Sequence, residues 1–114
     1  MNPRIEKINS LIQQHAADII ARELSLKKGI FISIVKVDTS KDLRYTRIFL
    51  SVYPVREKDY AMKTLKKEIY KIQGELNKRM KTKILPRINF VLDEKQEKIS
   101  EIDEVFDQIR RERE

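Results

Sequence analysis

Apolar residues recur along this chain in two rhythms, and each change of rhythm marks a new element. Ile5, Ile8, Ile12, Ala16 and Ile19 are three or four residues apart, and Ile20 and Leu24 widen the same face. Asn2-Pro3 supplies an N-cap followed by proline at the first helical position, where its missing N–H costs nothing. The pattern predicts a helix from Pro3 to Leu24, closed by Ser25-Leu26-Lys27-Lys28-Gly29, with Gly29 as stop or turn residue. From Ile30 to Asp38 the chain reads as a strand, apolar on both faces near its start. One face is expected under a helix and the other against a neighbour. A polar turn, Thr39-Ser40-Lys41-Asp42, leads to strict alternation over Tyr45 to Tyr53. Ile48, Leu50 and Val52 point one way; Arg47, Phe49, Ser51 and Tyr53 point the other. So short a link makes the two strands an antiparallel hairpin.

Pro54 closes the hairpin, and a long helical segment follows from Glu57 to Lys81. At about 100° per residue, Met62, Leu65, Ile69, Ile72, Leu76 and Met80 fall on one arc. Lys63, Lys66, Lys67, Lys71, Lys78 and Lys81 fall on the opposite arc, with Gly74 in its middle. Glu75 with Arg79 and Glu68 with Lys71 have the spacing of helical ion pairs. The helix must end before Pro86, because a residue preceding proline resists the α conformation. Arg87 to Asp93 is a third strand with Ile88, Phe90 and Leu92 inward. Ser100 fits the N-cap of a last helix whose apolar face is Ile102, Val105, Phe106 and Ile109. The order is α-β-β-α-β with a C-terminal helix. Helices covering one face of a three-stranded sheet make an α+β two-layer domain. The other sheet face is left open, with Phe49 and Tyr53 beside Arg47.

Charge sharpens this picture. The chain of 114 residues carries a net +7, which favours a polyanionic partner. Residues 56–87 hold eleven Lys/Arg against four Asp/Glu, whereas residues 88–114 hold five against nine. The excess is a localised patch on the lysine arc, and RNA or DNA is the commonest polyanion to meet it. With no cysteine, disulfides and thiolate metal sites are excluded. A lone histidine, His15, cannot build a usual zinc site, and it reads as a structural or surface residue. Asp38 and Asp42 lie near one another, yet no nucleophile or base is placed beside them; Asp42 is expected to fix its turn. An enzyme, a metal, a cofactor and a small-molecule substrate are therefore not expected. No apolar run approaches the ~20 residues of a membrane span, and Met1 leads straight into a charged amphipathic segment. A soluble, cytoplasmic monomer is the expectation.

The α-β-β-α-β order resembles a type II KH domain, although the Gly-X-X-Gly loop with which KH domains grip single-stranded RNA is absent. The run from Val37 through Asp38, Thr39, Ser40, Lys41, Asp42, Leu43, Arg44, Tyr45, Thr46, Arg47, Ile48, Phe49, Leu50 and Ser51 to Val52 resembles the hairpin signature of the ribosome-binding factor A family. A second stretch, from Met80-Lys81-Thr82-Lys83-Ile84-Leu85-Pro86-Arg87 into Ile88-Asn89-Phe90-Val91-Leu92-Asp93, resembles that family's basic, apolar-Pro junction. Arg4-Ile5 with Ile8, Ile12, Ala16 and Ile19 agrees as well. The resemblance implies a KH-like domain over residues 1–98 and an acidic helix over 99–114, packed on it or extending from it. It also implies a non-catalytic assembly factor that binds the free or immature small (30S) ribosomal subunit through its rRNA. Such a factor assists late maturation, including 16S rRNA processing, alongside other assembly factors or GTPases, and matters most in the cold. In this family an Ala-X-Gly kink replaces the Gly-X-X-Gly loop, and that kink aligns with Glu68-Ile69-Tyr70. The motif is missing here, so the bend is expected either to pass to Gly74, one turn later, or to vanish into a straight helix.

The candidate phosphate contacts are Lys63, Lys66, Lys67, Lys71, Lys78 and Lys81, with Gly74 offering close backbone approach. Arg79, Lys83 and Arg87, at the helix-to-strand junction, would orient the domain, and Arg4 and Lys7 are further candidates. Phe49 and Tyr53 are open to two uses, stacking bases or ordinary cross-strand pairing. Two other readings of the chain compete. One is a general single-stranded RNA-binding module without ribosome specificity. The other is a protein-interaction domain whose basic face is incidental.

Overall fold

The computed structural model describes residues 3–83 and 85–93. The helix expected after Ser100, and with it the 99–114 unit, lies outside the described residues.

Helix α1 spans Pro3–Glu23 and buries Ile8, Ile12, Ala16, Ile19 and Ile20, the stripe its spacing predicts. Strand β1, Phe31–Thr39, and strand β2, Tyr45–Tyr53, pair antiparallel, with Phe31 opposite Tyr53 and Thr39 opposite Thr46. The turn between them rests on Asp42, as its sequence suggests. Its carboxylate accepts from the Ser40 hydroxyl at 2.6 Å and from the Arg44 N–H at 3.1 Å. These two donors, the hydroxyl first, hold the carboxyl below its ordinary pKa. Leu43 takes the left-handed conformation, φ 61°, that the tight turn needs.

The expectation that β1 is apolar on two faces is corrected by a bulge. Ile34 pairs with Leu50 and Lys36 with Phe49, so Val35 is an extra residue and the alternation slips by one. Ile32 and Ile34 before the bulge, and Val37 and Thr39 after it, therefore share the core side. One apolar face with a phase shift looked, in sequence, like two.

A short 3-10 turn, Val55–Glu57, follows Pro54, and the expected long helix is two. Helix α2 is Lys58–Lys67 and helix α3 is Ile69–Arg79. Strand β3, Arg87–Leu92, runs parallel to β2, giving the order β1-β2-β3. A parallel neighbour demands a crossover, which α2 and α3 supply. The core lies between the helices and one face of the sheet, where Ile12, Ile19, Ile48, Leu50, Leu65, Ile72, Leu76 and Ile88 are almost fully buried. Each such side chain stabilises the fold by about 1.5–3 kcal/mol relative to exposure. The result is the expected α+β, KH-like two-layer domain. Among the described residues no helix is long and apolar enough to cross a membrane, and no three His, Cys, Asp or Glu gather where they could hold a metal.

Candidate nucleic-acid interface

The break between α2 and α3 falls at Glu68, whose φ of −96° and ψ of 9° lie outside the helical well. Neither expected alternative holds. The helix is interrupted at Glu68, and Gly74 sits inside the continuous helix α3. The break stands at the first residue of the triplet Glu68-Ile69-Tyr70, where neither glycine nor proline is present. One turn earlier the Thr64 hydroxyl donates to the Tyr60 carbonyl at 2.9 Å, a back-bond of the kind that bends helices. Backbone pairing still bridges the break, from Glu68 N–H to Thr64 and from Ile72 N–H to Glu68. Ala61 and Leu65 on α2 and Ile72 and Leu76 on α3 anchor the two pieces in one core. Met62 and Ile69, assigned to the buried arc from sequence, are only half-buried, and Ala61 takes the deeper place.

The six lysines of the stripe are all exposed, but their electrostatic settings differ. Lys63, Lys66 and Lys67 on α2 face no carboxylate within ion-pair distance among the described residues. On α3, Lys71 reaches Glu23 at 3.5 Å, Lys78 reaches Glu75 at 3.4 Å, and Arg79 meets Asp18 at 2.6 Å. Two of these correct the expected helical pairs. Lys71 joins Glu23 rather than Glu68, and Arg79 joins Asp18 rather than Glu75, because α1 packs along α3 and presents its acids there. Asp18 also accepts from Arg22 at 3.0 Å. The Arg79 bond first, and Arg22 second, lower its pKa. Arg79 is half-buried in this tie.

Lys81, Lys83 and Arg87 are exposed along the link into β3. Gly74 is half-buried, and a Cβ there would meet nothing within 4 Å. Arg4 and Lys7 are exposed near the start of α1. At 1.5 Å per residue they lie roughly 16–21 Å along the helix from Asp18. The two pairings show α1 antiparallel to α3, so this end of α1 points away from the α2 lysines. The structure does not bring these two groups together. On the open sheet face, Phe49 is half-buried between the Lys36 ammonium, 4.6 Å from the ring centre, and the Arg47 guanidinium at 5.4 Å. Arg47 also binds Asp38 at 2.6 Å.

Two features escaped the sequence reading. Tyr70 is 89% exposed, and its signal was present: it falls on the lysine arc, away from every apolar neighbour. Gln73 had no signal. Its side chain accepts from the Ile88 N–H at 2.8 Å and donates to the Pro86 carbonyl at 3.1 Å. It thus caps the outer edge of β3 as a neighbouring strand would.

The family model described as Ribosome-binding factor A matches residues 4–106. Over 112 residues the chain is 31% identical to ribosome-binding factor A of Halothermothrix orenii, which covers 97% of this chain and 92% of that one. The fold matches the crystal structure of ribosome-binding factor A from Thermus thermophilus with a TM-score of 0.68 and 18% identity, over 77% of this chain and 94% of that one. A homology model of the Thermus thermophilus factor, fitted into a cryo-EM map of its 30S complex, matches with a TM-score of 0.62 and 20% identity, over 73% of this chain and 88% of that one.

Proposed function

The chain belongs to the ribosome-binding factor A family, and from that premise we propose that it binds the free or immature small ribosomal subunit through its rRNA and assists late maturation, including 16S rRNA processing. The observation that carries this reading is the run of exposed lysines on α2, Lys63, Lys66 and Lys67, which meet no carboxylate among the described residues and lie beside the break at Glu68. Lys63, Lys66 and Lys67 neutralise phosphates first; Lys71, Lys78 and Lys81 extend the track, and Lys83 and Arg87 set its orientation at the link into β3. Arg79 serves indirectly, by holding α3 against α1. No bond is made or broken, so the protein works as a cytoplasmic, monomeric binding factor and not as an enzyme.

Co-sedimentation with free small subunits, assembled ribosomes and naked RNA, at low and moderate salt, tests the proposal. Preference for free small subunits is the expected result. Equal binding to any RNA, lost together as salt rises, would reduce the chain to a general single-stranded RNA-binding module. Charge reversal at Lys67 and Lys71 should weaken binding and leave the fold intact; unchanged binding would remove the stripe from the function.

A further inference from the structure

We infer that the open face of the sheet seats the chain's own segment from Ser100 to Ile109, docked through its apolar side. The inference does not depend on the RNA-binding reading. The segment lies outside the described residues, and its sequence is what bears on the docking.

The helices cover one side of the sheet, and alternation sends every second residue to the other. Phe31, Phe49, Tyr53 and Val91 belong to that other side. Phe31 stands opposite Tyr53, and Phe49 opposite Val91, in the strand pairing. Phe31 is 65% exposed and Tyr53 39%; Phe49 and Val91 are half-buried. The solvent side of a half-covered sheet is ordinarily polar. Here two apolar rows, with Ser33 and Ser51 paired between them, make a patch on a surface that faces water.

The segment supplies a matching side. Written as a helix, it gathers Ile102, Val105, Phe106 and Ile109 into an arc of about 100°, with Glu101 and Asp103 on its two borders. Such a helix rises about 10 Å from Ile102 to Ile109, and β2 advances about 13 Å from Phe49 to Tyr53. The link is long enough. Strand β3 ends at Leu92 beside Leu50, close to the patch. Residues 93–99 span up to roughly 23 Å, whereas β1, the far strand, is about 10 Å from β3.

Charge selects this occupant. Lys36 meets no carboxylate within ion-pair distance among the described residues. It lies 4.6 Å from the centre of the Phe49 ring, and Arg47 lies 5.4 Å from it. An apolar patch bordered by cations is the complement of an apolar arc bordered by carboxylates. A nucleic-acid base fits less well, because it would have to displace those two cations from the ring. A second copy also fits less well, since a two-fold contact would set Lys36 and Arg47 against their own equivalents. Seated on this face, the acids are across the sheet from α2. The basic stripe and the acidic segment then coexist without cancelling.

The test is backbone-amide NMR of the full chain. Replacing Ile102 and Phe106 together with serine should shift the amide resonances of Ser33, Lys36, Phe49 and Ser51. Those of Lys63, Lys66 and Lys67 should stay in place, and the melting temperature should fall by at least about 4 °C. Phe31→Ser, a change at an exposed position, should in return shift the amides of residues 102–109. The chain has no cysteine, so an engineered pair can be read alone. Ser51→Cys with Val105→Cys should form a disulfide within one chain under mild oxidation. Ser51→Cys with Asp107→Cys, on the back of the helix, should form none. Unmoved sheet amides in the double serine variant would overturn the docking, whatever the melting temperature. Shifts confined to the α2 lysines would seat the segment on the stripe and overturn it as well. A disulfide found only between two chains would give the face to a second copy. Sheet amides that ignore the double variant but move when a 10-nucleotide single-stranded RNA is added would give it to RNA. Either result sinks the inference.

Discussion

Helices α2 and α3 carry one lysine stripe in sequence and two electrostatic states in the fold. On α2, Lys63, Lys66 and Lys67 project without a carboxylate at ion-pair distance among the described residues. On α3, Lys71, Lys78 and Arg79 each have one. The difference comes from packing. α3 lies along α1 and meets Asp18 and Glu23, whereas α2, turned away at Glu68, does not. A cation that already holds a carboxylate must give up that contact to hold a phosphate. The free half of the stripe should therefore dominate affinity, and the paired half should fix the helix that presents it.

The largest effect should separate the two halves directly. Replacing Lys63, Lys66 and Lys67 together with glutamate should weaken binding to small subunits by at least about a hundredfold. Replacing Lys71 and Lys78 should weaken it by less than about tenfold. Glutamine in place of the three α2 lysines should also lower the slope of log affinity against log salt by about three, roughly one for each lost phosphate contact. Equal effects from the two helices would show that the ion pairs on α3 open freely when RNA arrives, and the contrast would carry no functional weight.

The next effect tests what the halves share. Leu65 on α2 and Ile72 on α3 are buried in the same core. Truncating either to alanine should cost about 2–5 kcal/mol of unfolding free energy in chemical denaturation. Both variants should still unfold in a single transition. If the Leu65→Ala variant melted in two steps, α2 would be an independent flap and not part of the domain.

How far the chain announces this arrangement depends on the range of each interaction. Strand β2 and helix α1 are readable because their apolar residues keep one period from end to end. The turn is readable because Ser40, Asp42 and Arg44 bond to near neighbours. The bulge at Val35 is not, since one extra residue in a run of Ile and Val looks like a strand buried on both faces. The break at Glu68 is hidden for a related reason. No glycine or proline marks it, and the apolar spacing runs almost unbroken from Ala61 to Leu76. The pairing of α3 is hidden more deeply: Asp18 and Arg79 are 61 residues apart, and local spacing pointed to Glu75. All six lysines were correctly placed on the outside, but which of them remain unpaired is a tertiary fact.

A smaller effect is expected at Gly74, the one bare position in the lysine arc. Its Cβ would meet nothing within 4 Å, and it sits inside α3. Gly74→Ala should therefore raise stability by about 0.5–1 kcal/mol, read as a higher denaturant midpoint. If phosphate approaches the α3 backbone there, the same variant should bind RNA less tightly while being more stable. A gain in stability with unchanged binding would leave Gly74 as a tolerated helix defect and remove it from the interface.

The smallest effect would shift α3 toward the condition of α2. Asp18→Asn keeps the side-chain shape, removes the charge that holds Arg79 and Arg22, and leaves Arg79 without its carboxylate. Because those bonds lower the Asp18 pKa in the fold, they favour the folded state wherever the carboxylate is ionised. That contribution is present in full above the ordinary carboxylate range, and it is lost as pH falls through the lowered value. Wild type should therefore melt slightly higher than Asp18→Asn at neutral pH, and the two curves should converge in strong acid. RNA affinity at neutral pH should move the other way, rising modestly in the variant as Arg79 joins the free cations. A constant difference in melting temperature across the whole pH range would mean that Asp18 acts through packing and not through its charge. Lower RNA affinity in the variant would mean that holding α3 on α1 outweighs freeing a cation, so that rigidity, more than charge, sets the contribution of α3.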